Sequence, residues 1–149
     1  MPVDTICNHN VATIEADEDI IEAARRMRQT HVGDLIVVET RDGRDVPIGV
    51  ITDRDIVIQV VAKDVAPSTL KVADAMSREL ITVRKDNGID FALQKMQRAG
   101  VRRIPVVDQN GALSGVLAMD DVVDHLAAQL GYIAGAIRIE QRKETQTRP

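Results

Sequence analysis

The chain has 149 residues, of which 44% are hydrophobic and 28% charged, with a formal net charge of −4. These values are typical of a soluble domain with its own core. The acidic balance, with Phe91 and Tyr132 as the only aromatic rings, argues against nucleic-acid binding. No apolar run approaches a membrane span, the N-terminus lacks signal-peptide features, and Cys7 is the single cysteine. We therefore expect a cytoplasmic protein that does not enter a membrane.

The first half of the chain predicts one β-α-β-β-α unit. Short β-branched or continuous apolar runs indicate strands, and apolar residues at helical spacing indicate helices. The pair Asp42-Gly43 indicates a turn between the second and third strands. The predicted elements in chain order are strand 11–14, helix 20–30, strand 35–38, strand 48–52 and helix 53–61.

The second half repeats this pattern. Shifted by 69 positions, residues 3–38 fall on residues 72–107 without a gap. Three extra residues follow in the first copy, after which Asp55 is equivalent to Asp121. Two such copies can pack face to face about a pseudo-twofold axis, which leaves two related clefts between them. The second set of elements is strand 80–83, helix 89–99, strand 104–107, strand 113–118 and helix 120–130.

The predicted division of the chain is a first repeat at 1–66, a second repeat at 67–132, and a helical extension and tail at 133–149. The last helix either breaks at Gly131 or continues beyond it, and the polar residues from Glu140 onward are expected to fray. Its apolar residues alternate steps of three and four, so they form either a dimer contact or a face packed on its own domain. This seam consists of Val123, Leu126, Leu130, Ile133 and Ile137.

The segment 49–55 reads Gly-Val-Ile-Thr-Asp-Arg-Asp and joins a predicted strand to a helix. A helix N-terminus attracts phosphate, and a carboxylate in its first turn can accept hydrogen bonds from ribose hydroxyls. Alternatively, Thr52 and Asp55 form a capping box that only satisfies the helix's own donors. In the second copy Ala118 replaces the threonine while Asp121 persists, which favours a role for the acid beyond capping.

The duplicated unit, the Gly-x-x-Thr-x-x-Asp segment and Val-Arg-Arg-Ile-Pro-Val-Val-Asp at 101–108 resemble a tandem CBS-domain pair, or Bateman module. The resemblance covers residues 3–130 and implies an α/β (α+β) fold of two β-α-β-β-α repeats. CBS pairs are regulatory modules that bind AMP, ADP, ATP or S-adenosylmethionine, attached to enzymes such as IMP dehydrogenase or to channels. The chain is similar to the stand-alone bacterial type, which implies a disc-shaped homodimer and an effector protein as partner.

The same resemblance implies a nucleotide site, the Asp55 cleft, with phosphate at the threonine, ribose at the acid and adenine on the opposite repeat. Its two arginines lie near the phosphates or are only solvated surface charge. The residues assigned to this site are Thr52, Asp55, Ile81, Thr82, Val101, Arg102 and Arg103.

A weaker second site, the Asp121 cleft, is implied at the pseudo-symmetric position. Ala118 lacks the hydroxyl there, and an unpaired Asp34 would repel phosphate. We therefore expect the Asp55 cleft to bind more strongly. The residues assigned to the second site are Thr13, Val32, Gly33 and Asp121.

The sequence offers no catalytic residues. His9, His31 and His125 form no metal-ligand spacing, and Cys7 is interpreted as a small buried hydrophobe. No metal and no catalytic cofactor are predicted. The first hypothesis is a regulatory module that senses an adenine nucleotide and passes its occupancy to an effector protein. The alternative is a structural or adaptor homodimer whose clefts are vestigial.

Overall fold

The computed structural model describes residues 1–148 and consists of two three-stranded sheets with flanking helices, which confirms the predicted fold class. The first repeat contains β1 Thr13–Glu15, α1 Ile20–Thr30, β2 Asp34–Arg41, β3 Arg44–Thr52 and α2 Asp53–Ile56. The second repeat contains α3 Val72–Ala75, β4 Val83–Arg84, α4 Ile89–Ala99, β5 Arg103–Val107, β6 Leu113–Ala118 and α5 Met119–Thr147.

The two sheets have the same topology. In each, the first strand pairs in parallel with the second, which pairs antiparallel with the third. The turn between β2 and β3 has φ values of 51° at Asp42 and 74° at Gly43, as a two-residue hairpin turn requires. A register shift interrupts β2 between Val37 and Val38 and recurs in β5 at the equivalent positions. The sequence repeat is therefore a structural repeat down to its irregularities.

Helices α1 and α4 have the predicted bounds. Asp19 caps α1, accepting a hydrogen bond from the backbone N–H of Glu22 at 2.8 Å. Both helices end in left-handed residues, His31 and Gly100. Ala23 and its equivalent Ala92 are fully buried, so each helix packs its apolar face on its own sheet.

The repeats exchange their first segments, residues 3–8 and 72–77. Val3 and Cys7 are buried in the core of the second repeat, while Val72 and Ala75 are buried in the core of the first. Backbone hydrogen bonds fix the exchange: Asn8 pairs with Val116 of β6 in both directions, at 2.9 Å each. Two cores that each contain part of the other repeat cannot separate without exposing apolar surface.

Two predicted strands begin later than expected. The strand predicted at 11–14 is observed at Thr13–Glu15, and the strand predicted at 80–83 at Val83–Arg84. Parallel pairing explains the difference, because only these residues lie opposite β2 and β5. The helix predicted at 53–61 is α-helical over Asp53–Ile56 and continues as a π-helix over Val57–Val61. The division into units 1–66, 67–132 and 133–149 stays a prediction.

Helix α5 is longer than expected. It continues through Gly131 and reaches Thr147, so both the break at that glycine and the frayed tail from Glu140 are wrong. A glycine costs about 1 kcal/mol in a helix interior, and α5 contains both Gly131 and Gly135 within its 29 residues. In the last turns, the Thr145 hydroxyl donates to the carbonyl of Gln141 at 2.8 Å. No helix among residues 1–148 has the length and apolar character needed to cross a membrane.

The predicted seam on α5 faces away from its own domain. Its five residues, Val123, Leu126, Leu130, Ile133 and Ile137, are between 50% and 67% exposed. The alternative in which this seam packs on its own domain is therefore wrong.

Gly49→Ala tests the exchange of segments. A Cβ atom at this position in β3 would overlap the carbonyl oxygen of Ser77 and the methyl group of Met76, both in the exchanged segment. We expect the free energy of unfolding in urea to fall by about 1–3 kcal/mol. Gly88→Ala is the control, because its Cβ would meet open space, its φ is −71°, and only its N-cap role in α4 is weakened. Its effect should stay below about 1 kcal/mol, and equal losses in the two variants would contradict the close approach.

Candidate functional site

A cavity of about 220 Å³ lies between the repeats at the start of α5. The segment that leads into β1 forms one wall, and β6 with the first turn of α5 forms the other. The lining residues are Asn8, Asn10, Val11, Ala12, Val32, Asp34, Ile36, Arg103, Val116, Ala118, Asp120 and Asp121. This cavity is the Asp121 cleft of the sequence analysis.

Asp121 stands in the first turn of α5, a helix of 29 residues whose free N–H groups and dipole favour an anion. Its Oδ2 accepts a hydrogen bond from the backbone N–H of Ala118 at 3.4 Å. The acid thus keeps a capping role although the threonine is absent, so its persistence alone does not indicate a ligand. Its second oxygen, Oδ1, remains for a further donor.

The equivalent position at α2 forms a complete capping box. The Thr52 hydroxyl accepts from the N–H of Asp55 at 3.1 Å, and Oδ2 of Asp55 accepts from the N–H of Thr52 at 2.9 Å. The predicted capping box is therefore present, and both side chains are half-buried. Capping leaves the hydroxyl proton of Thr52 and Oδ1 of Asp55 for other partners. A ligand contact can coexist with the cap.

An ion pair joins the two repeats between these sites. Asp34 begins β2, Arg103 begins β5, and Oδ1 of the acid lies 2.7 Å from Nη1 of the guanidinium. The two positions are equivalent under the shift of 69 residues, so they meet at the pseudo-twofold axis. Only 18% of the Asp34 side chain is exposed. The expectation that Asp34 is unpaired and repels phosphate is wrong, because Arg103 neutralises it.

The other predicted arginine lies beside α5. Nη2 of Arg102 is 3.0 Å from Oδ1 of Asp120, and the two side chains are 80% and 78% exposed. The sequence assigned Arg102 and Arg103 to the Asp55 cleft. The structure pairs Arg102 with the first turn of α5, because the turn after α4 leads it to that helix, and Arg103 lines the Asp121 cleft.

Four residues were assigned to the Asp121 cleft. Val32 and Asp121 line the cavity, whereas Thr13 and Gly33 do not. Residues 10–12 line the cavity just before β1 begins. Thr13 lies beyond them, and its carbonyl accepts a hydrogen bond from Nη1 of Arg26 at 2.9 Å. Gly33 lies beside α2, since its carbonyl accepts from the N–H of Asp53 at 2.9 Å.

The remaining residues assigned to the Asp55 cleft belong to the second repeat. Ile81 and Val101 pack against its core, and the carbonyl of Thr82 accepts from Nζ of Lys95 at 2.8 Å. This contact is the pseudo-symmetric counterpart of the one at Thr13. The assignment of these residues to nucleotide binding stays a prediction.

Two further residues that the sequence did not indicate, Asn8 and Asn10, add amide side chains to the Asp121 cleft. Oδ1 of Asn8 accepts from the N–H of Asn10 at 2.9 Å, which shapes the wall. No periodicity marks them, because Asn8 ends the exchanged segment and Asn10 lies between that segment and β1.

The sequence model of the CBS domain matches the chain twice, at residues 3–62 and 72–128. The chain belongs to the CBS domain family. The two matches coincide with the two structural repeats, so the molecule is a tandem CBS pair.

Two relatives match the CBS pair over most of their length. A protein of Methanopyrus kandleri is 36% identical over 141 residues, covering 95% of this chain and 68% of that protein. The CBS domain-containing protein YhcV of Bacillus subtilis is 38% identical over 112 residues, covering 75% of this chain and 76% of that protein.

Two solved structures share the fold. Hypoxic Response Protein I, solved with two coordinated zinc ions, superposes with a TM-score of 0.72 at 29% identity, covering 84% of this chain and 98% of that one. The CBS domain pair of protein MJ0100, in complex with 5′-methylthioadenosine and S-adenosyl-L-methionine, superposes with a TM-score of 0.73. It covers 87% of this chain and 98% of that one at 22% identity, so this likeness establishes the fold.

A double-mutant cycle on Asp34 and Arg103 measures the ion pair at the axis. We expect the alanine variants to show a coupling free energy of about 0.5–1 kcal/mol in urea unfolding, because the acid is largely buried. The matched control is Arg102 with Asp120, which are far more exposed. That cycle should give less than about 0.5 kcal/mol, and equal coupling in both cycles would contradict the special position of the axial pair.

Proposed function

We propose that this CBS pair is a regulatory module that binds an adenosine-containing ligand in the clefts between its repeats. The observation that carries the proposal is the Asp121 cleft, where a helix N-terminus, a carboxylate and aliphatic walls border one cavity between the repeats. The complex of the MJ0100 pair with two adenosine derivatives supports the same ligand class for this fold.

The chemistry of the cleft suits the parts of a nucleotide. Oδ1 of Asp121 can accept hydrogen bonds from ribose hydroxyls, and the N-terminus of α5 can receive a phosphate. The aliphatic side chains of Val32, Ile36 and Val116 line the cavity. They would make apolar contacts with the two faces of a flat adenine base. Ligand pockets commonly measure roughly 300–1,000 Å³, so at about 220 Å³ the cleft would enclose the nucleoside and leave phosphates at its mouth.

The ion pair between Asp34 and Arg103 would couple ligand binding in the cleft to the relative position of the two repeats. A bound phosphate beside Arg103 would compete with Asp34 for the guanidinium, and this contact joins the two repeats. A ligand that weakens it shifts the packing of one repeat against the other, and hence the surface offered to an effector protein. No catalytic residue is part of this proposal.

The two clefts are proposed to differ in strength. The Asp55 cleft has the Thr52 hydroxyl, whose proton is free to donate to a phosphate while its oxygen caps the helix. The Asp121 cleft has Ala118 at that position. Stronger binding of AMP, ADP or ATP at the Asp55 cleft accordingly remains part of the proposal.

Asp55→Ala and Asp121→Ala form a matched pair for calorimetry with AMP, ADP, ATP and S-adenosylmethionine. Removing a charged contact to ribose should cost about 1.5–3 kcal/mol, which is roughly ten- to a hundredfold in the affinity of that cleft. We expect the affinity of the tighter-binding site to fall more in Asp55→Ala than in Asp121→Ala, because the Asp55 cleft is proposed to be the tighter one.

Asp74→Ala is the control for the loss of a cap, because Asp74 accepts from the backbone N–H of Lys71 at 2.8 Å as the other two acids do in their own helices. It should leave nucleotide affinity unchanged. Unchanged affinity in both Asp55→Ala and Asp121→Ala would remove the acids from the site.

The seam on α5 supports a second candidate, a structural or adaptor homodimer whose clefts are vestigial. Its five apolar side chains are at least half exposed, and such a stripe on a long helix is typical of helix pairing. We propose homodimerisation through this seam under either function. A protein that dimerises but binds none of AMP, ADP, ATP and S-adenosylmethionine would favour the structural or adaptor function.

Leu130→Glu should weaken dimerisation by at least about tenfold, because it places a charge in the centre of an apolar contact. Light scattering across a concentration series measures the effect. The control is Ala128→Glu, an exposed position of α5 that is not part of the seam. A dimer that survives Leu130→Glu unchanged would place the interface elsewhere.

A further inference from the structure

Three side chains with metal-binding atoms meet at the exchanged segment of the first repeat. These are Asp4, Cys7 and His9, whose ligand atoms all lie within 4.8 Å of one another. Nε2 of His9 is 3.8 Å from Sγ of Cys7 and 3.8 Å from Oδ1 of Asp4. Ligand atoms around a tetrahedral zinc ion are about 3.5 Å apart, so small side-chain rotations would bring all three into contact with one ion.

The hydrogen bond of the other ring nitrogen orients His9 as a ligand. Of the two ring nitrogens, Nδ1 makes the shorter contact with a backbone carbonyl, 3.0 Å to Ser114 against 3.3 Å from Nε2 to Asp4, so we assign the proton of the neutral ring to Nδ1. In the neutral ring Nε2 then presents a lone pair. It faces further electron-rich atoms, including the carbonyl oxygen of Asp4 at 3.3 Å. A backbone carbonyl on the second ring nitrogen is the usual support of a metal-bound histidine.

We propose that Asp4, Cys7 and His9 form a binding site for a divalent transition-metal ion of the zinc class. One sulfur, one imidazole and one carboxylate suit zinc or cobalt, whereas magnesium and calcium prefer oxygen ligands alone. Three protein ligands leave a fourth position for water. The site lies outside the clefts, so it does not depend on the proposed function.

The bound ion would fasten the exchanged segment to the second repeat. His9 is tied to Ser114 of β6, and Cys7 lies against Gly115, where a Cβ atom would come within 2.9 Å of the sulfur. The shift of 69 residues places Ala73, Met76 and Arg78 at the equivalent positions, and these do not reproduce the set. The set of three ligands therefore occurs in the first repeat and not at the equivalent positions of the second.

Metal binding at this site releases a proton. Burial, and secondarily the Asp4 carboxylate, raise the pKa of the Cys7 thiol, so the sulfur is protonated before the ion arrives. Formation of the sulfur–metal bond breaks the S–H bond and transfers its proton to solvent. No oxidant or reductant takes part.

The test uses the untagged full chain, stripped of metal with a chelator and titrated with Zn²⁺ and with Co²⁺. We expect one ion per chain, a thiolate-to-cobalt charge-transfer band in the near ultraviolet, and release of about one proton, measured by calorimetry in buffers of different ionisation enthalpy. His9→Ala should weaken binding by at least about tenfold, and Cys7→Ser should abolish the band.

His125→Ala is the matched control, because this histidine on α5 contacts only Gln129 among the hydrogen-bonding side chains of residues 1–148. It should bind zinc as the parent chain does. His9 is exposed, so its removal leaves the fold intact and keeps the test valid if Cys7→Ser unfolds. Absence of a thiolate band, or equal weakening in His9→Ala and His125→Ala, would overturn the site. Either result leaves nucleotide binding untouched.

Discussion

Each repeat completes its hydrophobic core with a segment that belongs, by sequence, to the other repeat. Val3 and Val72 are fully buried in the exchanged positions, and burying one such side chain contributes about 1.5–3 kcal/mol. Gly49 and Gly115 permit the approach, because any side chain there would meet the exchanged backbone. The exchange fixes the two sheets relative to each other, so the clefts, the axial ion pair and the Asp4–Cys7–His9 cluster all follow from it.

The pseudo-twofold axis also explains why the functional groups lie where they do. It brings equivalent positions face to face, so Asp34 meets Arg103, and the N-terminus of α5 lies beside the first repeat. Sequence divergence between the copies makes the equivalent positions chemically unequal. Thr52 is replaced by Ala118, and Cys7 by Met76. The proposed ligand clefts would therefore differ in strength, and the proposed metal site would belong to one copy alone.

The repeat, the fold class and the bounds of α1 and α4 could be predicted. Helical periodicity and the match of residues 3–38 with residues 72–107 are both visible in the sequence without knowledge of tertiary contacts. The exchange could not, since residues 3–8 and 72–77 carry the same pattern and fit either core. The pairing of Asp34 with Arg103 did leave a signal, namely opposite charges at equivalent positions. The contact between His9 and the carbonyl of Ser114 left no such signal, because the two residues are 105 positions apart.

Ligand binding between the repeats can be measured on backbone amide resonances during titration with AMP, ADP, ATP and 5′-methylthioadenosine. We expect saturable shifts that concentrate on the first turns of α2 and α5 and on the neighbouring ends of β3 and β6. Shifts confined to surfaces away from both clefts, or spectra unchanged at millimolar ligand, would contradict it.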